Sequence, residues 1–400
     1  MLICGFCFSC GAKKNSNKSS NNTSEDLKTI VKSDNAFGLD LFQKIVSEDK
    51  NSKNVFISPT SIQLALAMTY NGADGTTKEA MATALKKNNL DANSINNSYK
   101  SLTQFLQQAD SNVVLEIANA IYYKEGFAVK SDFIKSNATN YNAEVKGLDF
   151  KSKKSVDIIN NWVASNTNNK IETIIDELSP DAVMVLLNAI YFYGSWEKEF
   201  NPEHTMLRPF FVDANNKVDV KSMYTKDTLG YYAHDKFQLL EIPYGNGNYN
   251  MCLFLPEMNT TVDDFISSMN PTDWENWISS IKQTDLTANI PKFSFEYEIP
   301  LKKILANMGM NEAFGSSANF ANINEKENLF ISEVFHKTFV DVSEKGTEAA
   351  AVTNIVIKEM SLDIEPPIVV EINRPFVFAI VEKQTDAIVF LGKVLNPSAK

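Results

Sequence analysis

Three histidines, His204, His234 and His336, are all the imidazoles the chain has. A hydrolytic serine would need one of them as a base and an acid to orient it. No serine sits in a Gly-x-Ser-x-Gly elbow. His336 falls in an alternating, strand-like run, FHKTFVDV, which reads as a hydrogen-bonded core residue ahead of a base. Three scattered imidazoles do not compose a metal site. There is no glycine-rich phosphate loop; GNGN at 245–248 lies between two strand patterns and reads as a hairpin turn. Cys4, Cys7 and Cys10 are spaced CxxCxxC but lack a fourth nearby ligand, and their tract is apolar and terminal. The expectation is a protein that is not an enzyme and uses no cofactor or metal.

The distinctive chemistry lies in a stretch of backbone, EKGTEAAAVTNIVIKEM at 344–360. A surface loop is expected to be polar and rich in turn residues. After Gly346 this one is small or β-branched and has no proline. At period two, one face carries Thr347, Ala349, Ala351, Thr353, Ile355 and Ile357. The other carries Glu348, Ala350, Val352, Asn354, Val356 and Lys358. The first suits burial and the second carries the polar groups, so the segment is able to become a strand inside a sheet. Pro366 and Pro367 cannot continue a central strand.

The remaining elements must hold that segment. Residues 26–48 have helical apolar spacing, and VFISP is a short strand. Ser58 then caps a helix that carries Pro59 at its start and is apolar almost all round, so it belongs deep in the core. Helices are expected at 74–85, 95–108 and near 131–139, with strands at 113–123 and 143–149. A helix with a Val156, Ile159, Trp162, Val163 stripe follows. AVMVLLNAIYFYG (182–194) is apolar on both faces, the mark of a strand buried from both sides. LRPFFV, KVDVKSMY, LGYYAH, FQLLEIPY and YNMCLFLP read as five strands, followed by two short helices at 261–280. LTANIPKFSFEYEI reads as one strand, PLKKILANMG as a helix, and LFISEVFHKTFVDVSEKG as one long strand. IVVEI, FVFAIVE and AIVFLGKV are the last strands. Helices dominate the first third and strands the rest, with no repeat and no break in composition. That is an α+β arrangement in a single unit over 26–400.

The composition, 44% hydrophobic and 22% charged, suits a large core. A net charge of −11 argues against nucleic acid, polyanions or an anionic membrane face as partners. MLICGFCFS, followed by CGAKKN, is similar to a bacterial lipoprotein signal cut before Cys10, whose thiol then carries lipid, although a basic start is lacking. Residues 11 to about 25 are polar and of low complexity, a flexible tether. Residues 1–25 are therefore expected to be a signal and tether. The chain would be exported, at the outer membrane or cell surface of a bacterium or otherwise extracellular.

NVFISPTSIQLALAMTYNGADGTT, LLNAIYFYGSWEKEF, NIPKFSFEYE, VFHKTFVDVSEKGTEAAA, and INRPFVFAI with FLGKVLNP resemble the serpin (serine protease inhibitor) family, in that family's order, across residues 26–397. The resemblance implies the serpin fold: three β-sheets, eight or nine helices and an exposed reactive-centre loop at about 344–367. It implies a suicide substrate. A serine protease is acylated by the loop, which then inserts into the main sheet and traps the covalent acyl-enzyme; loop insertion of this kind is a known form of strand addition. The hinge would be Glu344, Gly346, Thr347, Glu348, Ala349, Ala350 and Ala351. Ser58, Ser61, Asn188 and His336 match a polar shutter beneath the parting sheet. Trp196, Lys292 and Glu344 match the breach above it.

Counted from the hinge as in the family, the scissile bond is Met360–Ser361, which suits elastase-, chymotrypsin- or subtilisin-like enzymes. The segment from Ser361 to Pro367 is long for the family, so Lys358, Glu359 and Leu362 stay open as the primary residue. A monomer is expected, touching membrane only through its lipid anchor. A non-inhibitory binding or chaperone protein on the same fold, and an inhibitor of papain-like cysteine proteases, are the alternatives. Bulky, charged or proline residues in the hinge would mark the former.

Overall fold

The computed structural model describes residues 18–88, 90–179, 182–326, 329–348 and 368–399. Cys4, Cys7, Cys10, Ala349, Ala350, Ala351, Met360 and Ser361 lie outside the described residues. The helices are α1 (Lys18–Glu48), α2 (Pro59–Tyr70), α3 (Gly75–Ala84), α4 (Ala92–Gln108), α5 (Ser131–Tyr141), α6 (Lys153–Asn166), α7 (Val262–Ser268), α8 (Pro271–Ser279) and α9 (Lys302–Leu305). The strands are β1 (Asn54–Ile57), β2 (Val113–Lys124), β3 (Glu144–Leu148), β4 (Met184–Ser195), β5 (Met206–Phe211), β6 (Lys217–His234), β7 (Phe237–Tyr244) and β8 (Tyr249–Pro256). They continue with β9 (Lys282–Pro291), β10 (Phe293–Pro300), β11 (Phe335–Ser343), β12 (Gly346–Thr347), β13 (Ile368–Glu371), β14 (Phe376–Glu382) and β15 (Ala387–Val394).

A six-stranded sheet has the order β10-β11-β12-β4-β2-β3. A nine-stranded sheet runs β1-β15-β14-β8-β7-β6-β9-β13, with β5 also on β6. The larger sheet is two of the three expected sheets joined through β6. Its first part holds β5, its middle β9 and its last turns β7. The sequence divides β6 into two strands at TKDT. Those residues instead stay on the ladder, Thr225 facing Ala288 and Thr228 facing Asp285, because nothing there supplies turn geometry. Two expected single strands are shorter or divided. LTANIPKFSFEYEI breaks at Lys292 into β9 and β10, which belong to different sheets. The stretch before β11 is irregular, because its backbone bonds go to other loops, Ile331 N–H to Ala313 and Leu301 N–H to Val334. The first helix begins at Lys18, inside the segment read as tether.

Nearly all of α2 is buried, between the two sheets, as its all-round apolar sequence requires. Ser58 caps it, its hydroxyl accepting from the Ser61 N–H. On the opposite face of the six-stranded sheet, α6 and the segment after it enclose a second core of Ile159, Val163, Ile171, Ile174 and Leu187. The six-stranded sheet is thus covered on both faces, and β4 is buried on both as expected. Cys252 on β8 is fully enclosed in the larger sheet, and burial pushes its thiol pKa well up.

Candidate functional site

The site lies where β12 is wedged between β4 and β11. Both neighbours run antiparallel to it, Thr347 facing Val342 on one side and Gly194 on the other. Among the described residues β4 and β11 are joined only through these two residues. Gly346 has φ +142°, and a Cβ there would come within 2.0 Å of the Gly194 carbonyl oxygen. Only glycine fits a backbone this close to its neighbour.

The chain reverses at Glu344 and Lys345, and every side of that turn is held. Trp196 donates its indole N–H to the Ser343 carbonyl at 2.8 Å and its backbone N–H to the Lys345 carbonyl at 3.0 Å. Phe200 N–H reaches the Glu344 carbonyl. The Glu344 carboxylate accepts from Lys292 Nζ at 2.5 Å and from Thr205 Oγ1 at 2.9 Å. Burial pushes the Glu344 carboxyl up, but Lys292, Thr205 and a backbone amide hold it below the usual carboxylate range. Lys292 is placed there by the break between β9 and β10, with its backbone N–H on the Lys221 carbonyl.

Thr347 is 3% exposed and shares a 2.7 Å hydrogen bond with the buried Tyr244 hydroxyl. Tyr244 stacks on Trp196 with ring centres 4.3 Å apart. Thr347 is therefore seated on a polar contact in an aromatic wall. Tyr244 and Thr205 were missed from the sequence. A lone hydroxyl in the apolar run FQLLEIPY was the only signal for Tyr244.

Beneath β12 lies the polar cluster. Ser58 N–H donates to His336 Nε2 at 3.0 Å, and the Ser58 hydroxyl donates to the Val389 carbonyl at 2.7 Å. Ser61 donates its hydroxyl to Asn188 Oδ1. Asn188 Nδ2 donates in turn to Asn119 Oδ1 at 2.6 Å, and Thr338 Oγ1 to the Phe56 carbonyl at 2.6 Å. Asn119 and Thr338 are further members that the sequence did not reveal. The structure brings Ser58, Ser61, Asn188 and His336 together, but not as a catalytic set. The His336 lone pair is spent on a backbone amide, and the Ser58 proton on a carbonyl. His204 and His234 lie on other elements, against Tyr224 and Phe237.

Burial lowers the His336 pKa from 6.5 to about 3. The folded state thus refuses a proton that the unfolded chain accepts. Stability from the neutral imidazole is complete above pH 6.5 and is lost as pH falls from 6.5 towards 3, on the order of 4–5 kcal/mol at the lower end. Urea midpoints should fall between pH 7 and pH 4, and fall less in His336→Gln. An equal fall in both would remove His336 from this role.

The site is thus a sheet parted at one end by a two-residue strand, with an ion pair at the turn and a polar cluster below. The sequence matches the profile of Serpin (serine protease inhibitor) over residues 32–397. It is 35% identical to iripin-2 of Ixodes ricinus over 91% of this chain and 93% of that protein. It is 30% identical to neuroserpin of Homo sapiens over 86% of each. The native-state structure of the thermophilic serpin tengpin superposes with a TM-score of 0.83 at 32% identity, covering 96% of both chains. Human thyroxine-binding globulin complexed with thyroxine gives 0.85 at 26% identity, over 94% of this chain and all of that one. The chain belongs to the serpin family. Members are in general protease inhibitors rather than enzymes, although some proteins of this fold are non-inhibitory.

Proposed function

We propose that this protein inhibits serine proteases as a suicide substrate. The observation that carries this reading is β12. Gly346 and Thr347 already occupy the place of a new central strand, in register with both neighbours. From Ala349 to Ile357 the residues are small or β-branched apart from Asn354, and none is proline. A protease acylated at the loop would be dragged as the strand extends. The 14 residues from Thr347 to Met360 span about 46 Å of strand. Distortion of the enzyme's oxyanion hole slows hydrolysis of the acyl bond by a factor of about 10²–10³ per donor lost.

The scissile bond is Met360–Ser361, and the targets are elastase-, chymotrypsin- or subtilisin-like. The protein acts as an exported monomer of one folded unit, lipid-anchored through Cys10. The hinge favours inhibition over the non-inhibitory alternative, since Thr347, Ala349, Ala350 and Ala351 are small and none is proline, although Glu348 among them is charged.

A small protease panel resolved on denaturing gels tests this. At least one serine protease should give a heat-resistant adduct, and the released peptide should have the mass of a chain beginning at Ser361. No adduct with any serine protease favours a binding protein, and an adduct with papain alone moves the target class. Cleavage after Lys358 discards the Met360 assignment.

A further inference from the structure

A strained residue stands where the seated strand stops. Glu348 donates its backbone N–H to the Asp341 carbonyl at 3.0 Å, as a strand residue would. Its φ is nevertheless +60°, a left-handed conformation that costs a non-glycine residue roughly 1 kcal/mol or more. Its side chain is 4% exposed and lies on the outer face of the sheet. Oε1 is 3.5 Å from Lys170 Nζ, and Oε2 is buried with no hydrogen-bond partner. Lys170 Nζ in turn lies 5.2 Å from the centre of the Phe339 ring. The Tyr191 hydroxyl stands beside the carboxyl. If the β12 register continued, position 350 would fall between Tyr191 on β4 and Phe339 on β11. The Glu348 carboxyl and the Lys170 ammonium stand over that place.

We propose that Glu348 and Lys170 form a plug on the outer face of the parted sheet, and that expulsion of the Glu348 carboxylate sets how fast the chain follows Thr347 into the sheet. This rests on the insertion mechanism proposed above. The groups facing Glu348 are Lys170 from the segment after α6, Tyr191 from β4 and Asp341 from β11. Burial raises the carboxyl above its ordinary 4.5, Lys170 and Tyr191 pull it down, and Asp341 adds to the rise. The plugged state therefore holds its proton more tightly than a state in which the carboxyl reaches water. Linkage then favours the plug at low pH and its release once the group is ionised. Lys170 is what makes the ionised form tolerable in place. Without it a buried carboxylate is left unpaired and leaves sooner. A neutral glutamine carries no charge to desolvate and stays longer.

The test uses the full chain cleaved by saturating papain in a rapid-mixing device, with Trp196 emission as the signal of insertion. Lys170→Met keeps an apolar stem on the Phe339 ring and should insert about fivefold faster, while Glu348→Gln should insert about fivefold slower. The wild-type rate should climb with pH above about 4.5 and level off, and the Glu348→Gln rate should stay flat. Equal rates in all three chains, or a shift of both variants in the same direction, overturns the plug. If cleaved wild-type chain gains no heat resistance, no insertion has occurred; then the mechanism proposed above fails, and the plug with it.

Discussion

Cutting the chain between residues 349 and 367 is expected to raise its unfolding temperature by about 10–15 °C. The register of β12 shows where the gain arises. If that register continued after cleavage, it would set Thr353 between Asn188 and His336, and Ile357 against Met184 at the start of β4. About a dozen backbone bonds at 0.5–1.5 kcal/mol net each, with burial of the apolar face, amount to roughly 10 kcal/mol. In such a strand the odd-numbered side chains would follow Thr347 inward, towards Tyr244 and α2. Scanning calorimetry of intact and nicked chain measures the difference directly. Equal melting temperatures would mean that no strand is gained, and trapping would then lack a driving force.

Thr347→Arg should leave cleavage of the loop intact and lower the trapped fraction about 100-fold or more. Thr347 is already seated between β4 and β11 with its hydroxyl matched to Tyr244, and in the proposed mechanism it heads the strand that the rest of the loop would extend. A guanidinium there would be buried against the Tyr244 and Trp196 rings with no carboxylate to meet it, a cost of several kilocalories per mole. Insertion would stall while the acyl-enzyme hydrolyses, so the protein would be consumed as a plain substrate. Thr347→Ser, which keeps the hydroxyl, should trap normally. Undiminished adduct from Thr347→Arg on a denaturing gel would show that the contact at Tyr244 does not control insertion.

The parts of this site legible in the sequence are those whose demands are local. The apolar run at 182–194 announces a strand buried on both faces, and the His336 alternation a core histidine. What was not legible depends on pairing across the fold. Tyr244 and Thr205 meet the hinge from strands and turns more than 100 residues away in sequence. Lys170 looks like any solvated lysine until the segment after α6 is laid over Phe339. The break at Lys292 is less silent. The alternation of LTANIPKFSFEYEI does change phase across Pro291 and Lys292, from Leu286, Ala288 and Ile290 to Phe293, Phe295 and Tyr297, but only the assignment of its halves to two sheets shows that the strand is interrupted and the ammonium aimed at Glu344. The continuity of β6 is the reverse case, since residues too polar for an isolated strand are held by β9 alongside.

Cys252, sealed within the larger sheet with its thiol pKa raised, has a practical consequence. A thiol that reacts only as thiolate and only when exposed is a clock for the rarest openings of its surroundings. Alkylation followed at the Cys252 peptide times the loosening of the frame and ignores movement in the six-stranded sheet. A chain that rearranges while this cysteine stays unlabelled has moved one layer of its architecture against another that never came apart.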